Sequence, residues 1–423
     1  MIDLSLRYGS SEFLLPFDPE RFQVLDVKVS KRPLSDSEIG CRLDSPIGSQ
    51  EIEGLVGPGD TALIVVPDAT RMSASGQIVN LLVRRLIAAG IEPYDIRVIV
   101  ATGIHRKATE SEKRHVLTPF IYQRLKVLDH DPRNLLELVK VGETASGIPV
   151  ELNRQLLQHD HIFLVGGISF HYFAGFTGGR KLICPGLASS RTISETHRLA
   201  FDCETLSRRR GVGTGLLEGN SVHEAFVEAA KFVKSPFLIN TIVNGSGECI
   251  DIYCGDMIRS HLAACSAYEA DRTIEVDSKR GLVIASCGGS PYDINLIQAH
   301  KALDAASKAC HEGGTLVLLA ECPEGLGRGD MVNWFDAANS REMAMRLCEK
   351  YRVNGQTAWS IREKTERFEI FLISSLDESL IRAMGFKKAV MSDVMRFGKS
   401  SSGSGYILPK AATVNVKERS RPI

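Results

Sequence analysis

Short β-branched runs alternate with helical patterns along most of the chain. Thr61–Pro67 (TALIVVP) is a continuous apolar run of strand length. Gln77–Ala89 (QIVNLLVRRLIAA) carries its apolar residues at helical spacing and stops at Gly90. Ile96–Ala101 and His161–Val165 predict further strands, Ser221–Val233 a helix, and Phe237–Val243 a strand after Pro236. The second half repeats the alternation. Gly281–Ser286, Gly314–Ala320 and Phe368–Ile373 read as strands, Ile294–Cys310 and Arg341–Tyr351 as helices.

Strands spaced by helices imply parallel sheets with crossover helices. The expected fold class is therefore α/β, with two domains, each a mainly parallel sheet flanked by helices. The charged stretch Asp271–Arg280 separates a helical segment from a fresh strand, so the division falls at residues 1–272 and 273–423. Ser401–Gly405 (SSGSG) reads as a flexible loop, and the segment after it can pack on either domain.

Composition narrows the function classes. The chain has 423 residues, 24% charged and 43% hydrophobic, the balance of a globular protein. Lysine plus arginine and aspartate plus glutamate are equal at 51 each. That balance gives no reason to expect nucleic acid or an anionic membrane as partner, and any anion must be held by a few converging cations. The N-terminus has no basic segment leading into an apolar run, which predicts no signal peptide. Apolar runs such as Ala62–Val66 are too short to span a bilayer. The expectation is a cytoplasmic protein. Its ten cysteines form no C-x-x-C pair and are expected to be reduced and mostly buried.

Ligands of open parallel sheets gather at the carboxyl ends of the strands. Four loops qualify. The first is Asp68-Ala69-Thr70-Arg71, where an acid and a cation leave a strand together. The second, Thr102-Gly103-Ile104-His105, places an imidazole able to act as acid or base after a glycine turn. The third runs from His171 to Gly186 and sets Arg180-Lys181 behind Gly178-Gly179. Glycines there admit an anion to the backbone, and a lysine offers charge or a nucleophilic amine. The fourth carries Gln298 and Lys301, three apart on one helical face and suited to a carboxylate.

Each has a plainer reading in isolation: Asp68 and Thr70 as caps, His105 as a surface residue, Arg180 and Lys181 as solvated cations, Gln298 and Lys301 as an outer helical face. A Walker phosphate loop is excluded, because Arg180 precedes Lys181 and Leu182 follows it. His197 lies downstream, where a helix would bring it back over the glycine segment, and neutral imidazole suits nickel, zinc or iron.

In order and residue type, these motifs resemble the nickel-pincer lactate racemase family from about Asp68 to Lys301. The resemblance implies an active site in the cleft between two domains. It implies nickel held in a nickel-pincer nucleotide, a pyridinium-3,5-bisthiocarboxylic acid mononucleotide, covalently attached at Lys181 and made by separate cofactor-biosynthesis enzymes. By the same correspondence His197 is the metal ligand, and His105 and His171 are the acid–base pair. Asp68, Thr70, Arg71, Gly178 and Gly179 accompany the cofactor. Arg71, Gln298, Lys301 and Trp359 face a small 2-hydroxy acid. Where the lactate enzymes carry an aromatic residue before the glutamine, this chain has Ile297.

The implied chemistry is racemisation or epimerisation of the carbon bearing the hydroxyl. Its hydrogen is too weakly acidic for a histidine to remove as a proton. Leaving as hydride while the hydroxyl loses a proton is easier, and return to the other face of a flat keto acid inverts the centre. Alternatives are an epimerase of a longer sugar acid or an aryl 2-hydroxy acid, a non-catalytic carrier of the cofactor, and a Schiff-base lysine.

Overall fold

The computed structural model describes residues 1–27, 31–399 and 403–419. The chain divides into two units. One comprises Val29–Ala200 and Arg209–Ala270; the other comprises Met1–Lys28, Phe201–Arg208 and Asp271–Ile423. They are called the first and second unit below.

The first unit is built on a six-stranded sheet in the order Cys249–Asp256, Phe237–Val243, His161–Gly167, Ala62–Pro67, Ile96–Ala101, Lys126–Asp129. All neighbours are parallel except the edge pair of Cys249–Asp256 with Phe237–Val243. Every residue of Ala62–Pro67 is buried, as expected of a central strand covered on both faces. Helix Ser75–Ala88 buries Ile78, Val79, Leu82, Val83 and Leu86, a stripe of helical period.

The second unit has its own six-stranded parallel sheet, ordered Lys387–Lys388, Glu369–Ile373, Cys310–Leu319, Arg280–Ser286, Gly405–Leu408, Phe22–Val24. Helix Leu296–Ala309 presses an alanine-rich face onto its core, with Ala299, Ala302, Leu303 and Ala306 buried. The mixed α/β class with mainly parallel sheets is as expected.

Several features depart from the sequence reading or settle what it left open. A division at 272/273 assigns Met1–Lys28 to the N-terminal half, whereas Phe22–Val24 pairs with Gly405–Leu408 in the second unit. A three-residue strand has no pattern that names its neighbour. The final segment also stays in the second unit, where Asn415–Glu418 pairs with Thr273–Val276. The loop expected at Ser401–Gly405 lies partly outside the described residues, and Gly405 opens a strand. Finally, the cysteines are not all thiols. Cys203 and Cys348 form a disulfide across a separation of 145 residues, which no local spacing announces. Cys41 is exposed and the other free cysteines are buried. Among the described residues no helix is long and apolar enough to cross a membrane.

Candidate active site

Three of the expected site residues converge around one aromatic ring of the first unit. The strand His161–Gly167 ends in a glycine pair, and the chain then folds into a small hairpin of Phe170–His171 against Ala174–Phe176. The Phe173 ring at its turn lies 4.4 Å from the His171 ring and 5.1 Å from the His197 ring, centroid to centroid. Lys181 Nζ stands 5.6 Å from the centroid of Phe173 and 5.6 Å from that of Phe226. Phe226, on helix Ser221–Ala230, also lies 5.3 Å from His197. An amine over two aromatic faces is held by their quadrupoles in a water-poor setting.

His197 sits in the last turn of helix Ser190–Arg198, as the sequence predicted, and is 5% exposed. Its Nδ1 lies 2.7 Å from the carbonyl of Ile193 and can only donate to it. The hydrogen is therefore on Nδ1 and the lone pair is on Nε2. Burial, reinforced by the Lys181 charge, pushes this imidazole down to about 3, against the opposing Ile193 bond. A buried neutral imidazole with an available Nε2 is the form that ligates a metal. Among the described residues no three His, Cys, Asp or Glu side chains gather as a metal site. A metal at His197 therefore needs donors carried by another group.

The two expected acid–base histidines differ in setting. His105 is exposed, and its Nδ1 lies 2.6 Å from Oδ2 of the buried Asp68. The other carboxylate oxygen accepts from the Thr70 amide at 3.0 Å and the Thr70 hydroxyl at 2.5 Å. Burial alone would raise the Asp68 carboxyl, but His105, Arg71 and Thr70 carry it well below the usual carboxylate range. An ionised Asp68 accepts the Nδ1 proton, which leaves Nε2 as the basic nitrogen. His171 is buried, and its Nδ1 accepts the Ala174 amide at 3.3 Å. That bond puts the ring hydrogen of neutral His171 on Nε2. The two rings thus hold opposite tautomers.

The His105 loop is fastened to the lysine segment. Gly103 N donates to Gly186 O at 2.9 Å, and Gly186 N donates to Lys181 O at 2.9 Å. Gly178 and Gly179 have φ of 73° and 53°, and a Cβ at either would collide with Asn240 or His261. The glycine pair is thus required by close packing beneath the loop. Arg180 is not a solvated cation. It is 1% exposed and donates to the carbonyls of Ala174, Phe176 and Gly178 at 2.7, 2.9 and 3.3 Å.

The remaining expected residues belong to the second unit. Gln298 is buried, and its Oε1 accepts from Lys301 Nζ at 2.7 Å, so the pair is assembled rather than solvated. Ile297 is partly buried against the core. Trp359 lies in that core, 6% exposed, with its ring edge-on to Phe201 at 5.0 Å. Sequence reasoning missed the roles of Phe173, Phe226, Asn240 and His261. Phe173 lay inside the glycine segment, whereas the other three come from distant elements and carry no local signal.

Comparison with known proteins gives the family of the chain. Residues 8–207 match the family described as the lactate racemase N-terminal domain, and residues 276–403 the lactate racemase C-terminal domain. A lactate racemase of Lactiplantibacillus plantarum is 32% identical over 332 residues, covering 77% of this chain and 76% of that protein. One from Thermoanaerobacterium thermosaccharolyticum is 29% identical over 349 residues, covering 82% and 80%. The lactate racemase apoprotein structure from the latter organism superimposes with a TM-score of 0.88 at 24% identity, covering 99% of this chain and all of that one. A protein from Thermotoga maritima gives 0.73 at 20% identity, covering 92% and 99%.

Proposed function

Because the chain belongs to the lactate racemase family and is thereby an isomerase of the racemase type, we propose that it interconverts the stereoisomers of a small 2-hydroxy acid such as lactate. The observation that carries this reading is the gathering of His171, Lys181 and His197 around Phe173. To it is fastened a loop bearing a second histidine oriented by Asp68.

The residues fit a nickel-pincer nucleotide. Lys181 offers an amine for covalent attachment, on a loop that the close-packed glycine pair holds in place, and His197 offers Nε2 to nickel. When bound, such a group supplies an acceptor for hydride from the hydroxyl-bearing carbon. The chain supplies the proton handling. His105 Nε2 takes the hydroxyl proton of one hand of the substrate, and its developing charge is stabilised by Asp68. His171 serves the other hand as an imidazolium that gives its Nε2 hydrogen to the oxygen and is left neutral with its hydrogen on Nδ1, so during turnover Nδ1 gives up the Ala174 amide contact seen in the resting ring. In the reverse direction the roles exchange. Arg71 in the first unit, and Lys301 beside Gln298 in the second, are each a cation suited to a carboxylate, since charge-assisted bonds are the strong ones. The cofactor-making enzymes are the partners this reading requires, and the cytoplasm is the compartment we propose.

A second reading concerns only the substrate. Ile297 stands beside Gln298 where the lactate enzymes carry an aromatic residue. This favours a longer or differently shaped 2-hydroxy acid with the same chemistry. The test is chiral chromatography of protein made with the cofactor-producing enzymes and shown to contain nickel. It is offered single enantiomers of lactate, 2-hydroxybutyrate, malate, phenyllactate and gluconate. Conversion of lactate is the expected result, and conversion only of a longer acid selects the second reading. No conversion of any acid by nickel-loaded protein counts against the racemase.

A further inference from the structure

Beneath the glycine segment is a buried cation with no carboxylate. Arg180 makes no ion pair among the described residues, and burial pushes its guanidinium down to about 10, offset in part by the Cys265 and Cys184 thiols. Its hydrogens go to three carbonyls and to one side chain, His261, whose Nε2 lies 2.9 Å from an Arg180 terminal nitrogen. His261 comes from helix Met257–Arg272 and is 2% exposed.

The proton state of His261 follows from what surrounds it. Arg180 is always a donor, so the nitrogen facing it must carry a lone pair. The contact of that nitrogen with Thr177 O at 3.1 Å is then not a hydrogen bond, and the ring hydrogen is on Nδ1, 3.7 Å from Cys265 Sγ. Burial, and then the Arg180 charge, holds the imidazole well below its ordinary range, which keeps it neutral. The same ring abuts Gly179, where a Cβ would come 2.5 Å from His261 Cδ2. One side chain therefore braces both residues immediately before Lys181. The Lys181 amide in turn donates to Gly178 O at 3.1 Å, so the lysine's backbone is tied to a carbonyl that Arg180 also grips.

We propose that His261 is a positioning residue for Lys181. As a neutral acceptor it fixes the Arg180 fork, and the fork sets the direction in which the lysine amine leaves the loop. This deepens the proposed function and rests on Lys181 being the attachment point. An amine displaced by about an ångström loses up to ~100-fold in a reaction that depends on alignment.

The test compares His261→Gln, whose amide oxygen still accepts from Arg180, with His261→Leu, which has no acceptor. Two readouts are used on full-length protein. The first is the fraction of Lys181 modified after production with the cofactor-making enzymes, measured by peptide mass spectrometry. The second is the rate of Lys181 acetylation by acetic anhydride in cofactor-free protein, relative to exposed lysines. His261→Leu is expected to lower Lys181 modification about tenfold or more and to shift its acetylation rate severalfold, with His261→Gln within about threefold of wild type on both. Equal loss in both variants, with melting temperatures lowered alike, reduces His261 to a packing residue and overturns the proposal, as does no change in either. If wild-type Lys181 is never modified, the cofactor reading fails. The acetylation rates then decide the positioning role by themselves.

Discussion

On the proposed mechanism, the loop bearing His105 and the segment bearing His171 meet the same chemical need from opposite settings. His105 is an exposed ring whose Nδ1 faces an ionised, buried carboxylate. His171 is a buried ring packed edge-on against Phe173, and its Nδ1 faces a backbone amide. A carboxylate stabilises a charged imidazole, whereas an amide donor favours a neutral one. If both histidines act as proposed, the two bases are not equivalent. Equilibrium between mirror-image acids fixes only the ratio of the overall rates, and each direction can use the base suited to one half of the reaction.

The largest effect that could break this comparison comes from removing the histidines. His105→Ala and His171→Ala are each expected to lower turnover by roughly 10²- to 10⁴-fold. In single-turnover experiments on the loaded enzyme, each variant should slow one direction more than the other, and the two should differ in which direction suffers. Equal, negligible losses from both changes would remove them from the mechanism. Asp68→Asn sharpens the comparison at smaller cost. It keeps the shape but removes the charge that holds the Nδ1 proton. Turnover should drop by about 10²-fold, mainly in the direction where His105 is the base. A loss equal in both directions would mean that Asp68 serves the cofactor or the fold instead.

The smallest expected effect concerns buried imidazoles outside the pair. His130, His261 and His300 are each held below 6.5, in every case primarily by burial. With the folded value depressed, the unfolded chain takes up these protons first. Stability present above pH 6.5 is then lost as pH falls toward the folded values, at about 1 kcal/mol per pH unit for each histidine. Urea midpoints that stay level from pH 7 to pH 5 would contradict this.

Much of the architecture was legible because it follows local periodicity. Ile96–Ala101 and Phe237–Val243 appear as strands with the predicted bounds, and helix Ser221–Ala230 begins where its pattern begins. The site was legible as an inventory of residues but not as a set of contacts. Asp68 read as a cap or cofactor residue, and only the folded chain brings it to Nδ1 of His105, 37 positions away. Arg180 read as one of two adjacent cations, yet it is buried while its neighbour lies over aromatic rings, because the glycine turn sends the two side chains to different surroundings. The disulfide and the edge strand Phe22–Val24 depend on long-range pairing, to which periodicity is blind.

That edge strand has a consequence for how the protein is made. Phe22–Val24 leaves the ribosome long before its sheet neighbour Gly405–Leu408. At about 5–20 residues per second, it waits on the order of tens of seconds for that partner. Meanwhile the sheet of the first unit has been synthesised entire and is free to close. The second sheet can be completed only after Gly405–Leu408 has been made, so until then the nascent chain carries an unpaired strand for which chaperones and aggregation compete.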